Sequence, residues 1–537
     1  MSSPFRQPIG LSRFQSWAQK YGARITLVGG SLIIVMWTVI RHITNGVNFD
    51  VVGQIGVVEQ WSHGLTGGAQ VGSTNYLFKM PAYWLVNQLG FLSPHAKLLG
   101  LALLFNLLTF ILLFGLFQKI LELLGVRSRS WLYLSLAWLA TISGRLYWLD
   151  YANSRNLETV GGIFFVYLSI KFIKYHTWPN AGWLLLIGSI VFFADPLQFF
   201  VIALPICLYT VWGWLRSRTR DHFALAAYLI GLSGLSYAVS QLIFRVASAL
   251  LPVAFLAIPK PTPSLTGQLV WQSVRQSLVS TLKNFDADFF RLPVSPNSIR
   301  EFLNALVLAA IIILLIKLVI SKPPRAFPRG LVLTIILINY VVYVASGQAL
   351  QWETARYLVM VPLISLLAVA IWGDTIVGKR KQIVQLVWAA VIVISCVLLL
   401  GALAVNWPNR YAKDAYINDT LSYLQQHHYE YAVSSRAVAI PGTYFAGGSR
   451  TILPVICSSN HQVHRTNLFY DTAAFRGLPV YHGDVPFILM PGDSLRGDLH
   501  CNKADVIAQF GSPKREELVP GVGTAEIYDA TVLRLND

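Results

Sequence analysis

Apolar stretches of roughly 20 residues recur along the first 400 positions, and they constrain the fold more than anything else here. They fall near 24–43, 97–122, 129–146, 158–174, 180–194, 197–215, 223–250, 301–320, 329–348, 355–373 and 382–406. An apolar helix of about 20 residues crosses a hydrocarbon core of about 30 Å, and a helix satisfies its own backbone groups on the way. Composition agrees. Of the 537 residues 55% are hydrophobic and only 12% are charged, about half the ~25% usual in soluble domains. The expected fold class is a polytopic α-helical membrane protein of about eleven transmembrane helices with a small C-terminal α/β domain. The short runs near 129–146 and 180–215 also admit one re-entrant pair in place of two spans.

Charge gives a direction to these spans. Lys and Arg number 42 against 25 Asp and Glu, a net charge of +17. The excess lies in short loops between apolar runs, which is the habit of cytoplasmic loops and not of a nucleic-acid surface. Arg127 and Arg129, Lys171 and Lys174, Arg216, Arg218 and Arg220, Lys322, Arg325 and Arg329, and Lys379, Arg380 and Lys381 all alternate to the side of the N-terminus. Residues 1–23 are then cytoplasmic, 24–406 form the membrane domain, and an odd number of spans carries 407–537 outside as the extracytoplasmic α/β domain. Large outer loops occupy 44–96 and 251–300. Cys207 and Cys396 sit inside apolar runs. Cys457 and Cys501 lie in the outer domain, where a disulfide between them is one option. Few cysteines and a modest outer domain favour a prokaryotic plasma membrane.

Several acids then sort to the outer side. They are Asp50 in "NGVNFDVVGQIG", Asp150 and Glu158 in "RLYWLDYANSRNLE", Asp195 in "FFADPLQFF", Asp286 and Asp288 in "NFDADFFRLPV", and Glu353 in "QWETARYL". A carboxylate at bilayer depth is expensive unless it has partners or lines a wet cavity, so the set points to a cavity open on that side. Stretches 54–68, 75–92 and 265–283 mix aromatic and polar residues at helical spacing. They read as interfacial helices able to roof such a cavity and admit a lipid. In the tail, "DTLSYLQQHHYEY" and "KADVIAQFGSP" read as short helices. "YAVSSRAVAI", "TILPVI", "VPFILMP" and "TAEIYDATVLRL" read as strands. The histidines of the tail lack close metal-ligand spacing.

An Asp just after the first span, further acids in the second outer loop, and the pair Arg356-Tyr357 opening a late span resemble the GT-C superfamily of membrane glycosyltransferases. That group includes oligosaccharyltransferases, protein O-mannosyltransferases and aminoarabinose transferases. The resemblance covers the architecture of nearly the whole chain. It implies a polyprenyl-phosphate-linked sugar donor and an extracytoplasmic glycan, lipid or protein acceptor. Such a transfer needs a base for the acceptor proton, and a positioned carboxylate supplies about 10²–10⁴-fold; Asp50 is the candidate. Arg356, Arg155 and Lys79 are candidates for the leaving phosphate. Asp150, Asn153 and Glu158 would orient hydroxyls, with Asp195 and Glu353 beside them, and Tyr357, Trp61 and Trp148 would stack on the sugar. Phe49 and Val51 flank Asp50, unlike the paired-acid form of the motif, so no metal ligand is assigned and a divalent ion remains optional.

Several of these residues also have a plainer role. Asp50 could cap an outer helix. Asp195 before Pro196 could cap the next span. Asp150 and Glu158 could pair with Arg145 or Arg155, and Glu353 with Arg356 at i,i+3. The alternative functions are a transporter or lipid flippase, and a non-catalytic scaffold.

Overall fold

The computed structural model describes residues 9–44, 47, 49–62, 69–71, 79–142, 156–250, 253–255, 266–290, 293–321, 326–346, 358–447, 449–457, 462–466, 481, 483–489 and 502–533. Eight helical stretches among them are long and apolar enough to cross a membrane. The last, Met360–Asn406, holds two helices, Met360–Val377 and Lys381–Asn406. Two shorter apolar helices, Ser130–Ile142 and Trp178–Ala194, lie among them. Their outward faces are largely apolar. Leu32, Leu242, Ile316 and Val397 are each at least half exposed, and a belt of that kind is at rest only in lipid. The chain is a polytopic helical membrane protein.

In chain order the bundle contains α1 (Ile9–Thr44), α2 (Phe49–Ser62), α3 (Met80–Asn87), α4 (Pro94–Leu123), α5 (Ser130–Ile142), α6 (Asn156–Tyr175) and α7 (Trp178–Ala194). A π-turn, Phe199–Ala203, leads into α8 (Leu204–Ser217), followed by α9 (Arg220–Leu250), α10 (Gly267–Asn284), α11 (Pro296–Ile320), α12 (Ala326–Ala345), α13 (Met360–Val377) and α14 (Lys381–Asn406). Each apolar run of the sequence carries a helix. The first begins well before residue 24, so the basic N-terminal segment continues the helix of the first span. Proline opens α4 and α11, where its missing N–H costs nothing. Ser93 caps the first by accepting from Ala96 N at 3.3 Å, and Ser295 and Ser298 cap the second reciprocally.

Helix direction sorts the two ends. At one end Arg129 donates to Gln118 O at 3.2 Å, Lys174 donates to Leu123 O at 2.9 Å, and Lys381 stands 3.9 Å from Asp374. At the other, the Trp37 indole of α1 donates to Thr141 O at 2.8 Å, and the Trp138 indole donates to Asn304 of α11 at 3.0 Å. Glu158, Asp195 and Asp286 belong to this second end. The sorting of acids is incomplete, since Glu122, Asp221 and Asp374 lie at the basic end. Glu122 pairs there with Lys119, and Asp374 accepts the Trp131 indole N–H at 3.0 Å.

The two expected outer loops are joined. Strand β1 (Ala69–Val71) pairs in parallel with β2 (Val253–Phe255). The expected interfacial helices exist, with different surroundings. Helix α2 buries Val52, Ile55, Val57 and Val58, so it is packed into the fold and is not lying on its surface. Helix α10 turns small hydroxyls inward. Ser280 bonds the Tyr343 hydroxyl of α12 at 3.0 Å and Thr281 bonds that of Tyr340 at 2.6 Å, while Trp271 and Leu278 point outward.

Beyond α14 the chain forms α15 (Ala415–Gln426), β3 (Tyr431–Ser435), α16 (Arg436–Phe445), β4 (Thr451–Cys457), β5 (Val463–Arg465), β6 (Asp484–Leu489), α17 (Lys503–Phe510), β7 (Arg515–Val519) and β8 (Gly523–Asp529). The sheet order is β5-β4-β3-β6-β8-β7, with β3 parallel to both β4 and β6. "YAVSSRAVAI" is therefore not one strand. Parallel neighbours need a crossover, which is usually a helix, and "RAVAI" supplies it as the start of α16. "TAEIYDATVLRL" is likewise a strand only as far as Asp529, whose carboxylate then turns the chain by accepting from the backbone N–H (3.1 Å) and hydroxyl (2.7 Å) of Thr531. The two short helices fall as expected. Asn502 caps α17 by accepting from Asp505 N at 2.8 Å, and Gly511 ends it at a φ of 82°.

Candidate functional site

The acidic end of the bundle holds a layer of buried polar side chains. Asn106 on α4 donates to the Thr38 hydroxyl of α1 at 3.0 Å and accepts from Asn156 at 3.5 Å. Asn156 opens α6, and Glu158 follows in its first turn, 2% exposed. A helix N-terminus favours negative charge, which gives this carboxylate a local reason to sit in so dry a position. Lys79 stands at the N-cap of α3 with 0% exposure, its ammonium 5.6 Å from the centre of the Phe105 ring. Phe105 precedes Asn106 on α4. Tyr83, one turn past Lys79, donates to Gln54 of α2 at 3.5 Å.

One apolar cluster binds these pieces. Val52, Ile55 and Val58 of α2, Tyr83 of α3, and Leu98, Leu101 and Phe105 of α4 pack together, with Leu157 of α6 against them. The helix that carries Asp50, the N-terminus of the helix that carries Glu158, and Lys79 therefore converge on one end of α4. The helix that begins at Phe49, Lys79 and the start of the Glu158 helix share one neighbourhood.

Asp195 follows directly on the end of α7. It is 0% exposed and caps the helix that follows it, as the Asp-Pro pair suggested. One oxygen accepts from Leu197 N at 3.2 Å and the other from the Gln198 amide at 3.1 Å. The π-turn begins at the next residue. Asn339 of α12 steadies it by donating to Val201 O at 2.7 Å. Gln198, Ile202 and Met360 all press on Gly162 of α6, where an added Cβ would lie 2.4–2.7 Å from them. Gly162 is one turn from Glu158 on the same helix face. Thus Asp195, the π-turn and the first residues of α13 meet one turn below Glu158.

Asp286, expected in an outer loop, is instead buried at the end of α10. It is paired with Arg300 of α11, and its main-chain oxygen accepts from Asn304 at 3.1 Å. The Arg300 guanidinium lies over the Trp37 ring at 4.8 Å. That group ties α1, α5, α10 and α11 together and makes Asp286 an internal strut.

Asp150, Asn153 and Arg155, Glu353, Arg356 and Tyr357, and Trp148 and Cys501 lie outside the described residues. For Asp50, Trp61 and Cys457 the backbone is described and the side chain is not. Among the described residues no group of three or more His, Cys, Asp and Glu is placed to hold a metal ion. Sequence reasoning passed over Gln54, Asn106, Asn156 and Gln198. Neutral amides are ordinary by composition, and only the position of Asn106 inside an apolar run marked it in advance.

As chemistry, the layer offers a buried cation, a carboxylate at a helix N-terminus, and amide and hydroxyl groups around them. No protein-family model matches this chain, and no curated protein matches it in sequence.

Proposed function

We propose that the chain is an integral-membrane glycosyltransferase of the GT-C kind. It moves a sugar from a polyprenyl-phosphate carrier to an extracytoplasmic glycan, lipid or protein. The observation that supports this reading best is the convergence of the Asp50 helix, Lys79 and Glu158 at one end of an apolar bundle. In this reading Asp50 takes the acceptor proton and Lys79, with Arg155 and Arg356, neutralises the leaving phosphate. Glu158, Asp150, Asn153 and Asp195 orient hydroxyls beside Glu353, and Tyr357 faces the sugar. Inversion by a single displacement needs only one such base. The acidic end and the α/β domain then face outward and the basic loops face the cytoplasm, in keeping with the positive-inside habit, in a prokaryotic plasma membrane.

The test is lipid analysis of cells lacking the chain. A polyprenyl-phosphate sugar should accumulate there and return to its normal level when the chain is restored. An unchanged lipid-linked sugar pool would contradict the proposal. A transporter or flippase is the competing reading. Transporter sites are typically built near the midplane from half-helices in related repeats, whereas Glu158, Asp195 and Lys79 lie at one end.

A further inference from the structure

The proposed transfer gives the C-terminal domain no part in the site, yet that domain holds the Asp50 helix in two places. Ahead of α2, the Asp414 carboxylate accepts the Val47 N–H at 2.6 Å, three residues before Asp50. Asp414 is 0% exposed and lies between α14 and α15. Burial raises its carboxyl above the usual range, and the Val47 N–H opposes that rise. The turn that bears it is fixed to the bundle. Tyr411 N–H donates to Ile43 O of α1 at 3.2 Å, and the Tyr411 ring stacks on His95 at 4.0 Å. Tyr411 has a φ of 64°, unfavourable for a bulky residue, so surrounding contacts must hold the turn in that shape. Along α2 itself, Val52, Ile55 and Val58 share an apolar cluster with Ile440 and Tyr444 of α16. Near its far end Glu59 is close enough to act electrostatically on the buried Tyr444 hydroxyl.

We infer that Asp414 and α16 are positioning elements, through which the C-terminal domain sets where α2, and with it Asp50, stands relative to Lys79 and Glu158. The inference rests on the reading of Asp50 as the base. It makes the domain part of the transferase site in place of a separate binding module. Asp414 acts through the Val47 amide and needs no contact with substrate.

The test uses the full chain in detergent, with amide hydrogen exchange and steady-state transfer from a polyprenyl-phosphate sugar measured on the wild type, Asp414→Ala and Asp414→Asn. In the wild type the Val47 amide, although outside any helix, should exchange slowly. Asp414→Ala should speed exchange over residues 47–59 about tenfold while leaving the β3–β6 strands protected. It should also lower kcat about tenfold, equivalent to ~1.4 kcal/mol, with KM within about twofold. Asp414→Asn keeps an acceptor for the Val47 N–H and should recover to within about threefold of wild type. Rapid exchange at Val47 in the wild type would overturn the inference whatever the variants do. So would exchange that rises equally along the chain in Asp414→Ala, or an Asn variant as impaired as Ala. If the wild type transfers no sugar while exchange rises only at 47–59, the Asp50 reading fails and the hold on α2 stands.

Discussion

Single residues carry most of the chemistry, and those that announce themselves in the sequence are the charged ones. Glu158, Asp195 and Lys79 stand out because a charge in an apolar chain is expensive and needs a reason. Gln54, Asn106, Asn156 and Gln198 give no such notice, since an amide becomes significant only once its neighbours are known. Replacing Lys79 with Met should lower kcat/KM about 10²-fold, the usual cost of removing one preorganised donor from a developing anion. Glu158→Gln should cost about tenfold or more, as expected for a hydrogen bond to a charged group worth ~1.5–3 kcal/mol. Steady-state kinetics with thermal midpoints checks both, and parallel losses of folding and activity would argue for structural roles. In the C-terminal domain, the side chain and backbone N–H of Thr531, with Lys514, hold the Asp529 carboxyl down at about 2. A depressed carboxyl stabilises the fold above its unfolded value of 3.8, and that contribution is lost as pH falls toward 2. Asp529→Asn should therefore lower the unfolding temperature at neutral pH and match wild type near the low end of that range. A difference that persists there would assign the effect to packing.

At the level of elements, helices of the membrane domain are legible because length and apolar composition suffice to specify them. Two kinds of element are not. The crossover helix α16 has a strand-like composition and is helical because its flanking strands lie parallel, a relation between segments that local pattern does not contain. The burial of α2 is hidden for the same reason, because its partners Ile440 and Tyr444 lie almost 400 residues away. The π-turn after Asp195 makes an element-scale prediction. The side-chain ends of Gln198, Ile202 and Met360 close on Gly162 and would have to shift for a methyl group. Gly162→Ala should cost up to about 1 kcal/mol by overpacking, and should loosen the π-turn first, so that amides of 198–203 lose exchange protection before those of α4. Uniform loss of protection would mean that the π-turn is not the yielding point.

For the molecule as a whole, one-sidedness is legible in the amino-acid sequence itself. Basic loops alternate with acidic ones, and the bundle gathers Arg129, Lys174 and Lys381 at one end and Glu158, Asp195 and Asp286 at the other. The joining of that acidic end to the α/β domain through Tyr411, Asp414 and α16 depends on contacts distant in sequence, so neither composition nor periodicity could reveal it. In intact spheroplasts, a cysteine placed at exposed Lys514 should react with an impermeant maleimide and one at Lys379 should not; the reverse pattern would invert the proposed orientation. The central claim is that the acidic end transfers sugar from a lipid phosphate with Asp50 as base. Its most direct test is transfer by purified protein in detergent, from a polyprenyl-phosphate sugar and without any ion gradient, comparing wild type with Asp50→Asn. Turnover is expected from the wild type, with a loss of about 10²-fold or more in an Asp50→Asn protein that still folds. Equal rates in the two proteins would contradict it.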